Sequence, residues 1–161
     1  MPVGKKALDG LSNRLGGVLQ AQGQLEAARV AFEEGLAIII RRLAEQDSSN
    51  AAWQQTLAWS LNRVGGMLQA QGKLEAARAA FEEDLAISRQ LVEQDPSNAG
   101  WQEALGGALR RVGEVLQAQG ELEPARAAFE EGLTIVRRLV DQDPSNANWR
   151  RDLATTLARF A

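Results

Sequence analysis

The amino-acid sequence predicts an all-α protein in which antiparallel helix pairs stack one after another into a solenoid. Tryptophan recurs every 48 residues, at Trp53, Trp101 and Trp149, within longer stretches that also match. Inside each period, apolar residues recur at intervals of three and four, which places their side chains on one face of a helix. Alternation with a period of two is nowhere sustained, so strands are not expected. We expect about seven helices.

The composition fits a folded domain and argues against several classes of function. Of the 161 residues, 45% are hydrophobic and 24% are charged, and there is neither cysteine nor histidine. The commonest general base and neutral metal ligand are therefore missing, so we expect no enzyme activity and no cofactor. The missing cysteines suit a reducing cytoplasm, which is the expected location. Apolar runs are far shorter than the ~20 residues of a membrane span, and a net charge of −3 argues against non-specific nucleic-acid binding.

The repeat predicts a single solenoid over residues 1–161, with each full repeat made of two helices. Repeat 1 carries one additional residue near Ile38-Ile39-Ile40, and a fourth repeat holds its first helix alone. The predicted boundaries are 1–50 for repeat 1, 51–98 for repeat 2, 99–146 for repeat 3 and 147–161 for the half repeat.

The first helix of each repeat has a start signal, an apolar stripe and a stop signal. Asparagine precedes it at positions 50, 98 and 146, where its side-chain oxygen can cap the free amides. A glycine at 23, 72 and 120 suits the left-handed residue that follows a helix end. Between these signals lies the apolar stripe, which in repeat 2 is formed by Trp53, Leu57, Leu61, Val64 and Leu68.

The second helix of each repeat is bounded by its prolines. Pro124 is tolerated in a first helical turn, so this helix of repeat 3 begins just before it. Asp95-Pro96 and Asp143-Pro144 end the second helices, because a residue that precedes proline avoids helical geometry. The apolar stripe in repeat 2 consists of Leu74, Ala77, Phe81, Leu85 and Leu91.

These positions together resemble the tetratricopeptide repeat, whose signature includes Leu-Gly-x2-Tyr, then Ala-x3-Phe, then Pro. The matching segments in repeats 2 and 3 are Leu61-x2-Val64-Gly65-x2-Leu68, Ala77-x3-Phe81 and Pro96, then Leu109-x2-Val112-Gly113-x2-Leu116, Ala125-x3-Phe129 and Pro144. The resemblance implies a right-handed superhelix whose first helices line a concave groove. The family period is 34, so each helix should be about two turns longer here.

Several packing expectations follow. The glycines at 16, 65 and 113 should lie where the helices of a pair cross, opposite the alanines at 28, 77 and 125. The repeated tryptophans should be buried against Leu43, Leu91 and Leu139 of the second helices. The acidic clusters should form a solvated outer face, and they are Glu33-Glu34, Glu82-Glu83-Asp84 and Glu130-Glu131.

The resemblance implies a protein-interaction module that binds a peptide or partner helix, with an acidic partner favoured by an arginine ladder. The implied groove residues are Asn13, Arg14, Gln20, Trp59, Asn62, Arg63, Gln69, Arg110, Arg111, Gln117 and Arg159. Two alternatives stay open for them: the arginines pair with carboxylates such as Glu114, and Trp59 packs on a neighbour. Two other functions also remain as hypotheses, namely self-association through uncapped solenoid ends and, less favoured, binding of single-stranded RNA.

Overall fold

A computed structural model of the chain describes residues 10, 14 and 25–160. The secondary structure of these residues is entirely helical, and consecutive helices pack on one another, which confirms the predicted fold class. Six helices are bounded within them, and the first helix predicted for repeat 1 lies largely outside. The helices are α1 (Leu25–Gln46), α2 (Ala51–Ala70), α3 (Leu74–Gln94), α4 (Ala99–Ala118), α5 (Leu122–Gln142) and α6 (Ala147–Leu157).

The caps form where the sequence predicts them. The side chains of Asn50, Asn98 and Asn146 accept hydrogen bonds from amides in the first turns of α2, α4 and α6. Gly72 and Gly120 have φ of +75° and +82°, the left-handed geometry that glycine adopts without strain. Helices α3 and α5 end immediately before their Asp-Pro pairs. These local signals mark both ends of α2 and α4, the ends of α3 and α5, and the start of α6.

The core divides into two apolar clusters along the length of the helices. One lies at the glycine-phenylalanine crossings and includes Val64, Leu68, Phe81, Val115 and Phe129. The other lies toward the opposite helix ends and includes Ile40, Leu57, Leu61, Ile87 and Leu91. The second cluster contains the additional turns, so lengthening the helices extends the core instead of adding solvated arms. No helix within the described residues has the length and apolarity to cross a bilayer.

Phenylalanine, not alanine, fills the space beside the crossing glycines. A Cβ atom built on Gly65 would lie 2.5 Å from the Phe81 ring, and one built on Gly113 would lie 2.5 Å from the Phe129 ring. The predicted close crossing is therefore present, but the predicted partner was wrong. Ala77 is buried one helical turn before Phe81, and the ring reaches the glycine because its side chain is longer. Gly16 and the side chain of Ala28 lie outside the described residues.

The tryptophans are less buried than predicted, and the prediction was wrong for Trp53. Trp101 is half-buried and packs against the second cluster, whereas Trp53 is 36% exposed. The buried residues of α1 are spaced by three or four, so they form one continuous face, and Leu43 lies beside it; they are Val30, Glu33, Ala37, Ile40 and Ala44. As a result Ala44 is buried and Leu43 only half-buried, so Trp53 meets a smaller apolar surface.

The crossing predicts opposite effects for two glycine-to-alanine changes in α4. Gly113→Ala should lower the free energy of unfolding by about 1–3 kcal/mol, because the new methyl group overlaps Phe129. Gly107→Ala should raise it by up to ~1 kcal/mol, because alanine favours helix and the described residues leave that Cβ position open to 4 Å. Urea unfolding followed by circular dichroism measures both, and equal effects would contradict the crossing.

Candidate partner-binding face

Apart from Arg14, which precedes α1, the predicted groove residues that the structure describes lie on the first helices α2, α4 and α6 or just beyond α6. Arg14 is exposed, whereas Asn13 and Gln20 lie outside the described residues. On α2, Gln69 is half-buried, and Gln117, its counterpart on α4, is exposed. Helices α2 and α4 touch each other directly, so the first helices form a continuous face. We call this surface the first-helix face.

A pocket of ≈ 790 Å³ opens on this face between α2 and α4. Its described lining residues include three arginines and no acidic residue. Sequence reasoning missed Arg29, because this arginine comes from α1, a second helix. The lining residues are Arg29, Asn62, Arg63, Gly66, Met67, Ala70, Gln71 and Arg111.

Arg63 is held at the pocket by two contacts. Its guanidinium carbon lies 4.7 Å from the centre of the Trp59 ring, one turn earlier on α2, within the range of a cation–π interaction. Its Nη2 also donates to the carboxylate of Glu33 on α1. Trp59 remains 59% exposed, so it packs on Arg63 without being covered. Both alternatives for Trp59 therefore stay compatible with its position.

Arg111 links the pocket to a second group of arginines around Glu114. The Glu114 side chain is 10% exposed and accepts hydrogen bonds from Arg110 at 2.9 Å, Arg111 at 3.4 Å and Arg159 at 2.9 Å. Arg111 thereby lines the pocket with Arg63 and meets Arg159 at one carboxylate. The predicted arginine ladder consists of Arg14, Arg63, Arg111 and Arg159, and its last three members are contiguous. Carboxylates partly neutralise them, in line with the alternative in which the arginines pair with residues such as Glu114.

Two carboxylates predicted for the solvated outer face are buried instead. Glu33 is 4% exposed and pairs with Arg63, and Asp84 is 4% exposed. Asp84 accepts hydrogen bonds from Asn62 Nδ2 at 3.1 Å and Ser88 Oγ at 3.2 Å. Each has a polar partner on α2, which is Arg63 for Glu33 and Asn62 for Asp84.

Comparison of the repeats contains the signal that would have found the Asp84 cluster. Its three members, Asn62, Asp84 and Ser88, change together in repeat 3. The equivalent residues there are Arg110, Gly132 and Val136.

Among the remaining residues of the acidic clusters, Glu83 and Glu131 form ion pairs that repeat along the second helices. Arg41 pairs with Glu83 at 2.7 Å, and Arg89 pairs with Glu131 at 2.8 Å, each between successive second helices. The four residues occupy equivalent positions 48 residues apart. Exposed pairs of this kind add at most ~1 kcal/mol each to stability. Within the described part of the chain, no group of three or more acidic residues is arranged to hold a metal ion.

Burial raises the pKa of Asp84 to about 6, and the hydrogen bonds from Asn62 and Ser88 oppose this shift. An unfolded aspartate titrates near 3.9, so the folded state holds the proton more tightly between those values. Stability should therefore fall as pH rises from about 4 to about 6 and stay low above that. Asp84→Asn removes this titration and keeps an oxygen acceptor.

The free energy of unfolding of Asp84→Asn, measured relative to that of the wild type, should increase by about 1–2 kcal/mol between pH 4.5 and pH 7.5. Urea unfolding at several pH values measures it. Glu34→Gln, which changes an exposed carboxylate, is the control and should show a much smaller pH dependence. An Asp84→Asn advantage that is constant with pH would show that this carboxyl titrates at its ordinary pKa.

The chain resembles a known protein family over three consecutive segments. A family model described as Tetratricopeptide repeat matches residues 12–48, 57–98 and 102–145. These three segments cover most of the sequence, and they contain α1, α3 and α5 completely and the greater part of α2 and α4. No curated protein matches the chain.

Proposed function

The chain belongs to the tetratricopeptide repeat family, and on that premise we propose that it is a protein-interaction scaffold that binds an acidic peptide segment on its first-helix face. Repeats of this family generally mediate protein–protein interaction and typically act without catalysis. The proposal includes the cytoplasm as the place of action. The single observation that supports the acidic partner is the pocket between α2 and α4, whose described lining holds three arginines and no carboxylate.

The charge of the first-helix face supports an anionic ligand. Four arginines, at 63, 110, 111 and 159, share the carboxylates of Glu33 and Glu114. Within these six residues the arginines outnumber the carboxylates by two, although Arg110 also interacts with Asp152 and the whole chain carries a net charge of −3. The forked guanidinium groups match carboxylates in geometry, and partial burial limits screening by water.

Trp59 adds an apolar contact beside the charged pocket. Its exposed ring lies one turn from Arg63, and the equivalent residue in repeat 3 is Gly107. An exposed aromatic side chain contributes large contact area at low cost in conformational entropy, which is why tryptophan is enriched at binding hot spots. We propose that a partner residue next to the acidic one packs on this ring.

Neutral replacements of the pocket arginines should weaken binding of an acidic peptide. The probe is a fluorescent peptide of alternating glutamate and serine, and its glutamine counterpart is the matched ligand. The Arg63→Gln/Arg111→Gln variant should bind the glutamate peptide about 10- to 100-fold more weakly, because the net loss of one hydrogen bond to a charged group costs ~1.5–3 kcal/mol and glutamine still offers a neutral donor. Fluorescence anisotropy gives the affinities, and circular dichroism checks the fold.

The matched control is Arg42→Gln/Arg138→Gln, which makes the same change in net charge at exposed positions of second helices. It should bind as the wild type does. Equal affinity for the glutamate and glutamine peptides would overturn the acidic-partner proposal. Tighter binding to a single-stranded oligouridine than to the glutamate peptide would favour RNA as the partner instead.

Self-association is the second candidate function, and the outer ion pairs favour it. The next residue in the series Arg41, Arg89 is Arg137, which is exposed and has no ion pair within the described residues. Glu34 is the equivalent of Glu83 and is likewise exposed and unpaired there. A second copy docked in the solenoid direction would bring its Glu34 to Arg137. It would also cover Leu122 and Phe160, which are exposed near α5.

This candidate predicts a concentration-dependent assembly that a charge swap can reverse. Arg137→Glu and Glu34→Arg should each weaken association, and combining both changes in one chain should restore it, because the ion pair is rebuilt with opposite polarity. Light scattering over a concentration series measures the mass. A wild-type mass that stays that of one chain at every concentration would reject self-association.

A further inference from the structure

Repeat 3 already contains a carboxylate at the position that the pocket of repeat 2 leaves open. Glu114 lies 48 residues after Gly66, so the two residues occupy equivalent places on α4 and α2. The Glu114 carboxylate is nearly buried among three arginines, two from its own helix and Arg159 from beyond α6. Glutamate at this position is therefore already accommodated once in the fold.

The surroundings of Glu114 correspond residue by residue to the lining of the pocket. Moving back by one repeat converts Arg110 to Asn62, Arg111 to Arg63 and Arg159 to Arg111. All three of these residues line the pocket, together with Gly66 itself. A Cβ atom built on Gly66 would meet nothing within 4 Å among the residues that the structure describes. The pocket in repeat 2 is thus equivalent to the Glu114 site of repeat 3, but it lacks the carboxylate.

We infer that Glu114 is an internal stand-in for the partner's carboxylate. In repeat 2, an acidic side chain of the partner binds between Arg63 and Arg111, as Glu114 binds between Arg111 and Arg159 in repeat 3. Glu114 occupies the equivalent position in repeat 3, so no partner carboxylate can bind there. Within the described residues, one acidic side chain of the partner can therefore bind between arginines of successive repeats. This inference rests on the proposed function, because it specifies how the acidic peptide is held and which repeat holds it.

Arg111 has hydrogen-bonding capacity for both sites. A guanidinium group carries five N–H donors, and Arg111 uses Nη1 toward Glu114 at 3.4 Å. Its Nε is buried and has no hydrogen-bond partner within the described structure. An unsatisfied buried donor is costly, and an incoming carboxylate on the α2 side can satisfy donors that Glu114 does not reach.

The inference is tested by exchanging the two residues between repeats. Gly66→Glu should fill the pocket from within and weaken binding of the glutamate-serine peptide at least 100-fold, whereas Gly66→Gln should weaken it less than 10-fold. Glu114→Ala should open the site in repeat 3 and raise the stoichiometry by one peptide per chain. Isothermal titration calorimetry gives the affinity and the stoichiometry together. Wild-type affinity in Gly66→Glu would overturn the inference and leave the proposed function standing.

A ligand-free measurement tests whether repeat 2 accepts a carboxylate between Arg63 and Arg111, and its outcome is independent of peptide binding by the wild type. Glutamate and glutamine at 66 have similar size and helix propensity, so the two variants differ mainly in charge. If a carboxylate is stabilised between Arg63 and Arg111, Gly66→Glu should have a melting temperature about 3 °C or more above that of Gly66→Gln at low salt. The difference should shrink at 1 M NaCl. An equal or lower melting temperature for Gly66→Glu would show that Arg63 and Arg111 do not stabilise a carboxylate at this position.

Discussion

The contact between a glycine on the first helix and a phenylalanine ring on the second determines the geometry of each helix pair. At 2.5 Å from a built Cβ, the rings of Phe81 and Phe129 leave room for hydrogen alone at Gly65 and Gly113. Because the crossing is the same in both pairs, residues one repeat apart are placed equivalently relative to the core. The repeated ion pairs and the contiguous arginines of the first-helix face depend on that equivalence.

The sequence predicts the fold well because its signals are local and occur several times. Caps such as Asn98 and Gly72 act within a turn of their own position, and each recurs at the same point of another repeat. The partner of Gly65 was predicted less well. Spacing placed both Ala77 and Phe81 on the buried face, but only the geometry shows which of them reaches across. Side-chain length decides that contact, and periodicity carries no information about length.

The buried carboxylates were missed for a different reason. An acidic residue on a helix is normally solvated, and its burial requires a partner that lies far away in sequence. Asp84 has Asn62, which is 22 residues away on α2, and Glu33 has Arg63, which is 30 residues away. In repeat 1 the inserted residue adds to the difficulty, because the residues of α1 before it and after it align with those of α3 at different spacings. Comparing the sequences of the repeats reveals contacting residues that change together from one repeat to the next. It does not reveal that one helix buries a different face.

Positions that repeat and positions that deviate have different roles in this chain. The repeated residues, such as Gly65 and Phe81, build a frame that places one arginine per repeat on the first-helix face. Function then depends on the deviations, since identical repeats would offer identical sites. The clearest case is Gly66 in repeat 2 and its equivalent Glu114 in repeat 3. Gly66 leaves a cationic pocket open, whereas Glu114 fills the equivalent place with a carboxylate. A duplicated scaffold gains selectivity for one ligand position when a single residue closes its other copy.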